Sequence, residues 1–476
     1  MKSNAVMMQY FEWYLRKEPH LWKQIPLRID ELKQCGITAL WLPPAYKGSS
    51  GNHDVGYGIY DLYDLGEFNQ KGSIETKYGT KQEYLDMIQA CHQANINIYT
   101  DIVFNHKMGA DEVEEVPATI VKGNARNECV ENKIVEAWTK FTFPGRNGKY
   151  SSFKWNWHHF DGIDYDNKTH QNAIYRLYGK NWDQQVSNEN ENYDYLMGAD
   201  LDFDNEEVRN ELISWGLWYQ NLVHMDGVRF DACKHIQFTF FKQWLQELRK
   251  VNKDLFAVGE YWSYDLNELL HYLDVNENQL SLFDVVLHGH LHEASCSNGN
   301  YDLRNLLKGT LVEQRPMQAV TFVDNHDTQP SQALSSWVLD WFKPQAYSII
   351  LLRKDGYPCV FYGDYYGIEH DQIEPVNCLK KILSLRQTHN YGEQHDYFDD
   401  YNIVGWTREG DEMHDGFACV FTDSTKGAKK MYVGKKYANE IFFDALGNWK
   451  DCVLIDEYGN GVFSCNDGSI SIYIKK

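Results

Sequence analysis

The chain has 476 residues, with 68 acidic against 46 basic side chains and a formal net charge of −22. A chain of this length can bury a large core and hold two or three domains. So acidic a balance excludes the basic footprint that nucleic acid or an anionic membrane surface requires, while a neutral polymer is compatible with it.

No apolar run reaches the roughly eighteen residues of a membrane-spanning helix. The opening Met1-Lys2-Ser3-Asn4 leads straight into Ala5-Val6-Met7-Met8, without an apolar signal region or a small-residue cleavage site. The ten cysteines form no CxxC pair. Scattered thiols without a leader favour a reducing cytosol, so a cytoplasmic location is expected. A mature form carrying an added Met is the alternative.

In chain order, Val6 to Tyr10 reads as a first strand. Leu21 to Cys35 has helical apolar spacing and stops at Gly36, a C-cap signal. Ile37 to Leu42 reads as a second strand closed by Pro43-Pro44, Lys81 to Asn95 as a helix, and Ile96 to Phe104 as a third strand. This alternation predicts parallel strands with helices outside. From Lys107 to Asp204 it breaks into a stretch rich in Asn, Gly, Trp and Tyr, which reads as an inserted domain.

The pattern then returns. Glu207 to Val223 and Phe238 to Asn252 read as helices, Gly227 to Asp231 and Phe256 to Glu260 as strands four and five. Leu282 to Leu287, Ala319 to Asp324 and Cys359 to Tyr362 bring the total to about eight strands, with Ser336 to Arg353 and Glu374 to His389 as the last long helices. The count and order suit an α/β fold, a (β/α)8 TIM barrel with an inserted lobe after its third strand. From about His395 short alternating strands with Gly, Asn and Asp turns predict a C-terminal all-β sandwich. The expected division is barrel 1-106 and 207-394, inserted domain 107-206 and C-terminal domain 395-476.

Chemistry concentrates at the strand ends. In His224-Met225-Asp226-Gly227-Val228-Arg229-Phe230-Asp231, Arg229 and Asp231 are two apart and project from one face of a strand. A guanidinium beside a carboxylate favours its charged form, and a braced anionic oxygen can serve as a nucleophile. Alone, the pair reads equally well as a buried structural ion pair. Two further apolar runs, Leu255 to Gly259 and Ala319 to Val323, lead into Glu260 and into Asp324-Asn325-His326-Asp327. A third, Ile96 to Phe104, leads into Asn105-His106. Apolar strands with polar C-terminal ends place chemistry on one rim of a barrel.

These four stretches resemble, in order and spacing, the signature regions of the α-amylase family of glycoside hydrolases. Met8-Gln9-Tyr10-Phe11-Glu12-Trp13-Tyr14, Trp41-Leu42-Pro43-Pro44-Ala45-Tyr46-Lys47-Gly48 and Phe322 to Pro330 are similar to the bacterial liquefying and cytoplasmic members in particular. The likeness covers nearly the whole chain. It implies endo-hydrolysis of α-1,4-glucans with retention, Asp231 being the nucleophile, Glu260 the acid and then base, and Asp327 a stabiliser that holds ring hydroxyls. Glycosidases of this kind place the two working carboxyls roughly 5–5.5 Å apart. Arg229 should keep Asp231 anionic, while neighbouring acids should raise the pKa of Glu260.

The likeness also implies His106 and His326 as donors to sugar hydroxyls, Tyr57 as a stacking platform, and Lys234 and His235 on the leaving-group side. Trp13, Trp262, Tyr193 and Leu196 are further cleft candidates, with core packing as the alternative for each. Cys233, two residues past the nucleophile, reads as packing because no base is paired with it.

Asp200, Asp202 and Asp204 recur at period two and would repel one another on an extended segment. Such a density of hard oxygens suits Ca²⁺, and a solvated acidic loop is the plain alternative. The resemblance implies a calcium held by Asn105, Asp194, Asp200 and the carbonyl of His235, tying the lobe to the barrel. It places Asp161, Asp183, Asp202 and Asp204 around an adjoining sodium and second calcium. A further calcium between barrel and C-terminal domain has weaker support, because Tyr401 and Asn402 replace the relatives' His and Asp, although Asp423 is kept. The partner implied is an α-1,4-glucan, with no nucleic acid, no membrane and a monomeric chain. A transglycosylase of the same chemistry and a catalytically inert glycan-binding barrel are the competing readings.

Overall fold

The computed structural model describes residues 4–476. Eight parallel strands close into a barrel: β1 (Met7–Gln9), β2 (Ala39–Leu42), β3 (Asn97–Ile102), β4 (Gly227–Phe230), β5 (Phe256–Gly259), β6 (Ser281–Phe283), β7 (Ala319–Phe322) and β8 (Tyr357–Phe361). Each strand pairs with its neighbours in sequence, and β1 closes the ring by pairing with both β2 and β8. The strands are nearly all buried, as strands covered on both faces must be.

A helix follows each strand: α1 (Leu21–Gln34), α2 (Lys81–Gln93), α3 (Glu206–Val223), α4 (Phe240–Leu248), α5 (Leu266–Val275), α6 (Val285–Cys296), α7 (Lys343–Leu352) and α8 (Leu379–His389). Local chemistry sets their ends. Thr80 and Glu83 form a reciprocal capping box at the start of α2. After α1, Gly36 adopts the left-handed φ of 77° that stops the helix.

Three expectations shift. Val285 to Leu287 belong to a helix, not to the sixth strand, because the Asp284 carboxylate accepts the Leu287 N–H at 3.0 Å and caps a new turn. An apolar run of this length is ambiguous between strand and helix. The helix expected from Ser336 begins only at Lys343, with Pro344 in its first turn, where its missing N–H costs nothing. Glu374 to Cys378 are loop rather than helix; Val376 N donates to the Asp364 carbonyl at 2.8 Å, which draws the segment onto the barrel.

Between β3 and α3 lies one six-stranded sheet, ordered His106–Lys107, Ala199–Leu201, Phe160–Asp166, Gln171–Leu177, Glu112–Lys122 and Ala125–Lys140. Asp200 is paired with His106 and with Gly162 in that sheet, so three distant stretches meet beside the end of β3. The C-terminal part is all-β. A six-stranded antiparallel sheet from Gln394–Tyr397 to Ile470–Lys475 covers the two-stranded ladder of Gly427–Tyr432 and Asn460–Cys465. Val420, Met431, Phe442, Phe463 and Tyr473 fill the space between them.

Candidate active site

Arg229 lies in the middle of β4, wholly buried, in register with Asp101 of β3 and Val258 of β5. Its Nη1 lies 3.0 Å from Asp101 Oδ1 and 2.5 Å from Asp231 Oδ1, and its Nη2 lies 2.9 Å from Glu260 Oε2. Asp231 and Glu260 follow the last residues of β4 and β5, so both stand on the C-terminal rim. Ala232, held at φ 50°, donates its N–H to Glu260 Oε2 at 3.2 Å. A non-glycine residue at positive φ is costly, and such strain gathers where the surroundings demand it. Close packing is the reason Gly259 precedes Glu260: a Cβ there would meet Cys233 Sγ at 2.9 Å.

One guanidinium therefore serves three carboxylates. Burial pushes the Asp231 carboxyl up to about 6, with Arg229 opposing the shift. Burial, with the charge of Asp231 adding to it, raises Glu260 above its ordinary value. Asp327 stands well above the usual carboxylate range, through burial first and Glu260 second. Arg229 thus moderates Asp231 without fully overriding its burial, a weaker hold than the sequence alone suggested, because its charge is divided three ways.

His326 and Asp327 lie beyond β7. Gln9 Nε2 donates to His326 Nδ1 at 3.0 Å, which leaves the proton on Nε2, 3.3 Å from Asp327 Oδ2. Burial drives the His326 pKa well down, so the ring is neutral. His106 differs from expectation. Its Nε2 donates to the Tyr57 carbonyl at 2.8 Å, and its Nδ1 is buried without a partner. Burial lowers its pKa too, so the ring is neutral and its one N–H is spent on Tyr57 rather than held for a sugar hydroxyl.

Tyr57, Trp13 and His326 form an aromatic floor, their rings within 11° of parallel and their centroids 5.1 to 6.0 Å apart. Tyr57 is fixed by its hydroxyl, which donates to Asp101 Oδ2 at 2.8 Å. Lys234 Nζ pairs with Glu189 at 2.6 Å, and His235 Nδ1 donates to the Tyr193 carbonyl at 2.7 Å. Trp262 is half-buried against His288 and Phe322, and Leu196 is half-buried in the lobe.

Asp101 and Glu189 were not singled out from the sequence. Asp101 accepts from Arg229, Tyr57 and Trp41 and is 1 % exposed. The signal for it was present: an acid inside a buried apolar strand is expensive unless paired. Glu189 lies in an irregular loop and carried none.

Below the lobe, Asp161, Asp194 and Asp200 bring ligand oxygens within 4.8 Å of one another, and so do Asp161, Asp183 and Asp202. Both oxygens of Asp161 and of Asp183, one of Asp200 and the Asn105 Oδ1 are buried without any hydrogen-bond partner. Burial and mutual repulsion raise Asp161, Asp183 and Asp200 well above the carboxylate range, and burial pushes Asp194 up to about 7. Orphaned, crowded, all-oxygen donors fit a hard divalent cation. Asp202 also pairs with Lys180, and exposed Asp204 accepts from Gln237 at 3.0 Å, outside both triads. At the further site with weaker support, Asn402 Oδ1 and both Asp423 oxygens are likewise buried and unpartnered, flanking the paired Ile403 and Thr422. An amide oxygen is also a calcium ligand, so Asn402 does not spoil that donor set.

With this geometry in hand, residues 22–412 match the family model described as "Alpha amylase, catalytic domain". The chain is 52% identical over 480 residues to an α-amylase of Geobacillus stearothermophilus, covering 99% of this chain and 87% of that one. It is 50% identical over 481 residues to an α-amylase of Bacillus licheniformis, covering 99% and 94%. Against the cytoplasmic α-amylase of Escherichia coli (strain K12) it is 41% identical over 488 residues, covering 99% of each. In fold it is similar to the crystal structure of a Geobacillus thermoleovorans α-amylase complexed with acarbose, at TM-score 0.65 and 19% identity, covering 99% of this chain and 98% of that one. The chain belongs to the α-amylase family of glycoside hydrolases.

Proposed function

We propose that the chain hydrolyses internal α-1,4 bonds of starch, glycogen or maltodextrins by double displacement with retention. The observation that carries this reading is the sharing of Arg229 by Asp231 and Glu260. Two carboxyls on the two amino groups of one guanidinium are close neighbours, which suits a retaining site rather than the wider gap of an inverting one. Asp231 attacks the anomeric carbon from one face while protonated Glu260 gives its proton to the departing glycosidic oxygen. Glu260, now a carboxylate, takes a proton from water as that water displaces Asp231. Asp327 and His326 hold ring hydroxyls of the distorted sugar, and His106 positions Tyr57 through its carbonyl. The floor of Tyr57 and Trp13 packs against the apolar sugar face. Lys234 and His235 lie on the leaving-group side, and Trp262 lines the cleft.

Asn105, Asp194 and Asp200, with the carbonyl of His235, would hold calcium; Asp161, Asp183 and Asp202 would hold sodium and a second calcium, with Asp204 near them. Bound there, the metal supplies positive charge to crowded acids and ties lobe to barrel just past the nucleophile loop. The same reading places barrel 1-106 and 207-394, lobe 107-206 and C-terminal domain 395-476 in a monomer. A cytoplasmic location is supported by the ten free thiols and by the likeness to a cytoplasmic relative. No helix among the described residues is long and apolar enough to cross a membrane.

A product profile on amylose and on an end-blocked oligosaccharide tests the activity. Linear fragments released from both substrates are expected. Cyclic or transfer products as the main outcome would favour the transglycosylase reading instead.

A further inference from the structure

At the opposite end of the barrel, a cavity of about 390 Å³ opens among Ala5 ahead of β1, Met317 ahead of β7, Gly356 ahead of β8 and the loop at Asn390 and Gly392. Two guanidiniums line it: Arg386 from α8, 5 % exposed, and Arg408 from the C-terminal strand Ile403–Gly410, 7 % exposed. Buried arginines normally face a carboxylate. Neighbouring Arg353 does, pairing with Asp396 at 2.6 Å. Among the described residues, Arg386 and Arg408 have no such partner.

Their protein contacts are neutral. Arg386 donates to the carbonyls of Asn4, Leu351 and Ala5. Arg408 donates twice to the Gly392 carbonyl and once to Asn390 Oδ1, the last at 2.6 Å. A guanidinium has five N–H groups, so each keeps donors unspent. Burial pushes both down to about 10; the charge of Arg408 adds to the effect at Arg386, while that of Asp355, which forms no ion pair with it, partly opposes the effect at Arg408. Exposed Lys354 stands at the lip, and Asp355 is the one acid in the lining. Three cationic side chains against one acid leave the cavity positive.

We propose that this cavity binds a phosphate-class oxyanion, either free phosphate or the phosphate ester of a small sugar. Planar guanidinium forks match the oxygens of a tetrahedral anion bidentately, and a dianion meets the charge surplus. The volume exceeds what a bare ion needs and falls in the range of small-molecule sites. A bound anion would join the start of β1, α8 and the C-terminal strand, which Arg386 and Arg408 already tie together through carbonyls. Because the cavity lies at the end of the barrel away from Asp231 and Glu260, its occupancy is separable from hydrolysis.

Isothermal titration calorimetry on the full chain, in a phosphate-free buffer at constant chloride, tests the proposal. Inorganic phosphate is titrated first and a hexose phosphate second. A saturable one-site heat is expected from at least one probe, with Kd weakened by about tenfold or more in Arg408→Gln and in Lys354→Glu. Lys354 is exposed, so its variant keeps the test valid if Arg408→Gln does not fold. Tighter binding of the hexose phosphate assigns the ester, and equal or tighter binding of phosphate assigns the free ion. Absence of saturable heat with both probes overturns the proposal, and so does unchanged Kd in the folded variants.

Discussion

Asp231 and Glu260 share a single counter-ion: the two terminal amino groups of Arg229 reach them at 2.5 and 2.9 Å. The acid proposed to attack and the acid proposed to give up a proton are thus held by one plane, which Asp101 contacts at 3.0 Å.

Replacing the attacking carboxylate should remove turnover without removing the cleft. For Asp231→Asn, kcat on starch should fall by a factor on the order of 10⁴ or more, as for loss of other covalent nucleophiles. Starch binding, read by cosedimentation, should survive. Unchanged release of reducing ends in the folded variant contradicts the assignment.

The pH profile follows from the same charges. Asp231 must be ionised to attack, and its carboxyl is pushed up to about 6, so kcat/KM should fall as pH drops through about 6. Glu260 must be protonated, and its raised pKa keeps it so below the alkaline limb. These limbs belong to the pair rather than to single residues. A profile flat down to pH 4 would show that burial does not tune Asp231.

Metal removal should act on stability before chemistry. EDTA should lower Tm, because it leaves the oxygens of Asp161, Asp183 and Asp200 crowded and unpartnered. In Asp161→Asn, which removes the charge common to both triads, the difference in Tm with and without calcium should shrink. An EDTA-insensitive Tm in the unaltered protein would remove calcium from the account.

Lys343, 1 % exposed, lies between Asp324 at 3.0 Å and Asp364. Thr328 donates to Asp324 at 2.8 Å, so this ion pair anchors the loop that presents His326 and Asp327. Lys343→Met strands two buried acids and should cost about 3–5 kcal/mol by urea denaturation. A loss within ±0.5 kcal/mol, the ordinary range of surface changes, would deny the anchor.

How much of this was readable in the residues differs from place to place. The barrel was legible because its strands are mostly apolar and its helices carry caps such as Thr80 and Gly36. Asp231, Glu260 and Asp327 stood out because each acid follows an apolar run. Helix starts near Pro344 and Pro375 were misjudged where apolar spacing continued past a proline that favours the first turn over the interior. The strand content of the lobe was not read, although Val116-Pro117-Ala118 and Val135-Glu136-Ala137-Trp138-Thr139 alternate buried with unburied positions, because charged residues such as Glu112, Glu114, Glu115, Glu128, Glu131 and Lys133 interrupt the apolar pattern. Nor could spacing disclose that Arg229 serves three acids or that His106 turns its donor toward Tyr57. Those facts depend on cross-strand register and on ring orientation, which a linear sequence does not encode directly.

The stereochemistry of the first product tests the central relationship most directly. In ¹H NMR of amylose digestion begun with fresh enzyme, the α-anomer of the new reducing end should appear first and then mutarotate. Initial appearance of the β-anomer would mean a single displacement, and Asp231 would no longer be the group that bonds to the sugar.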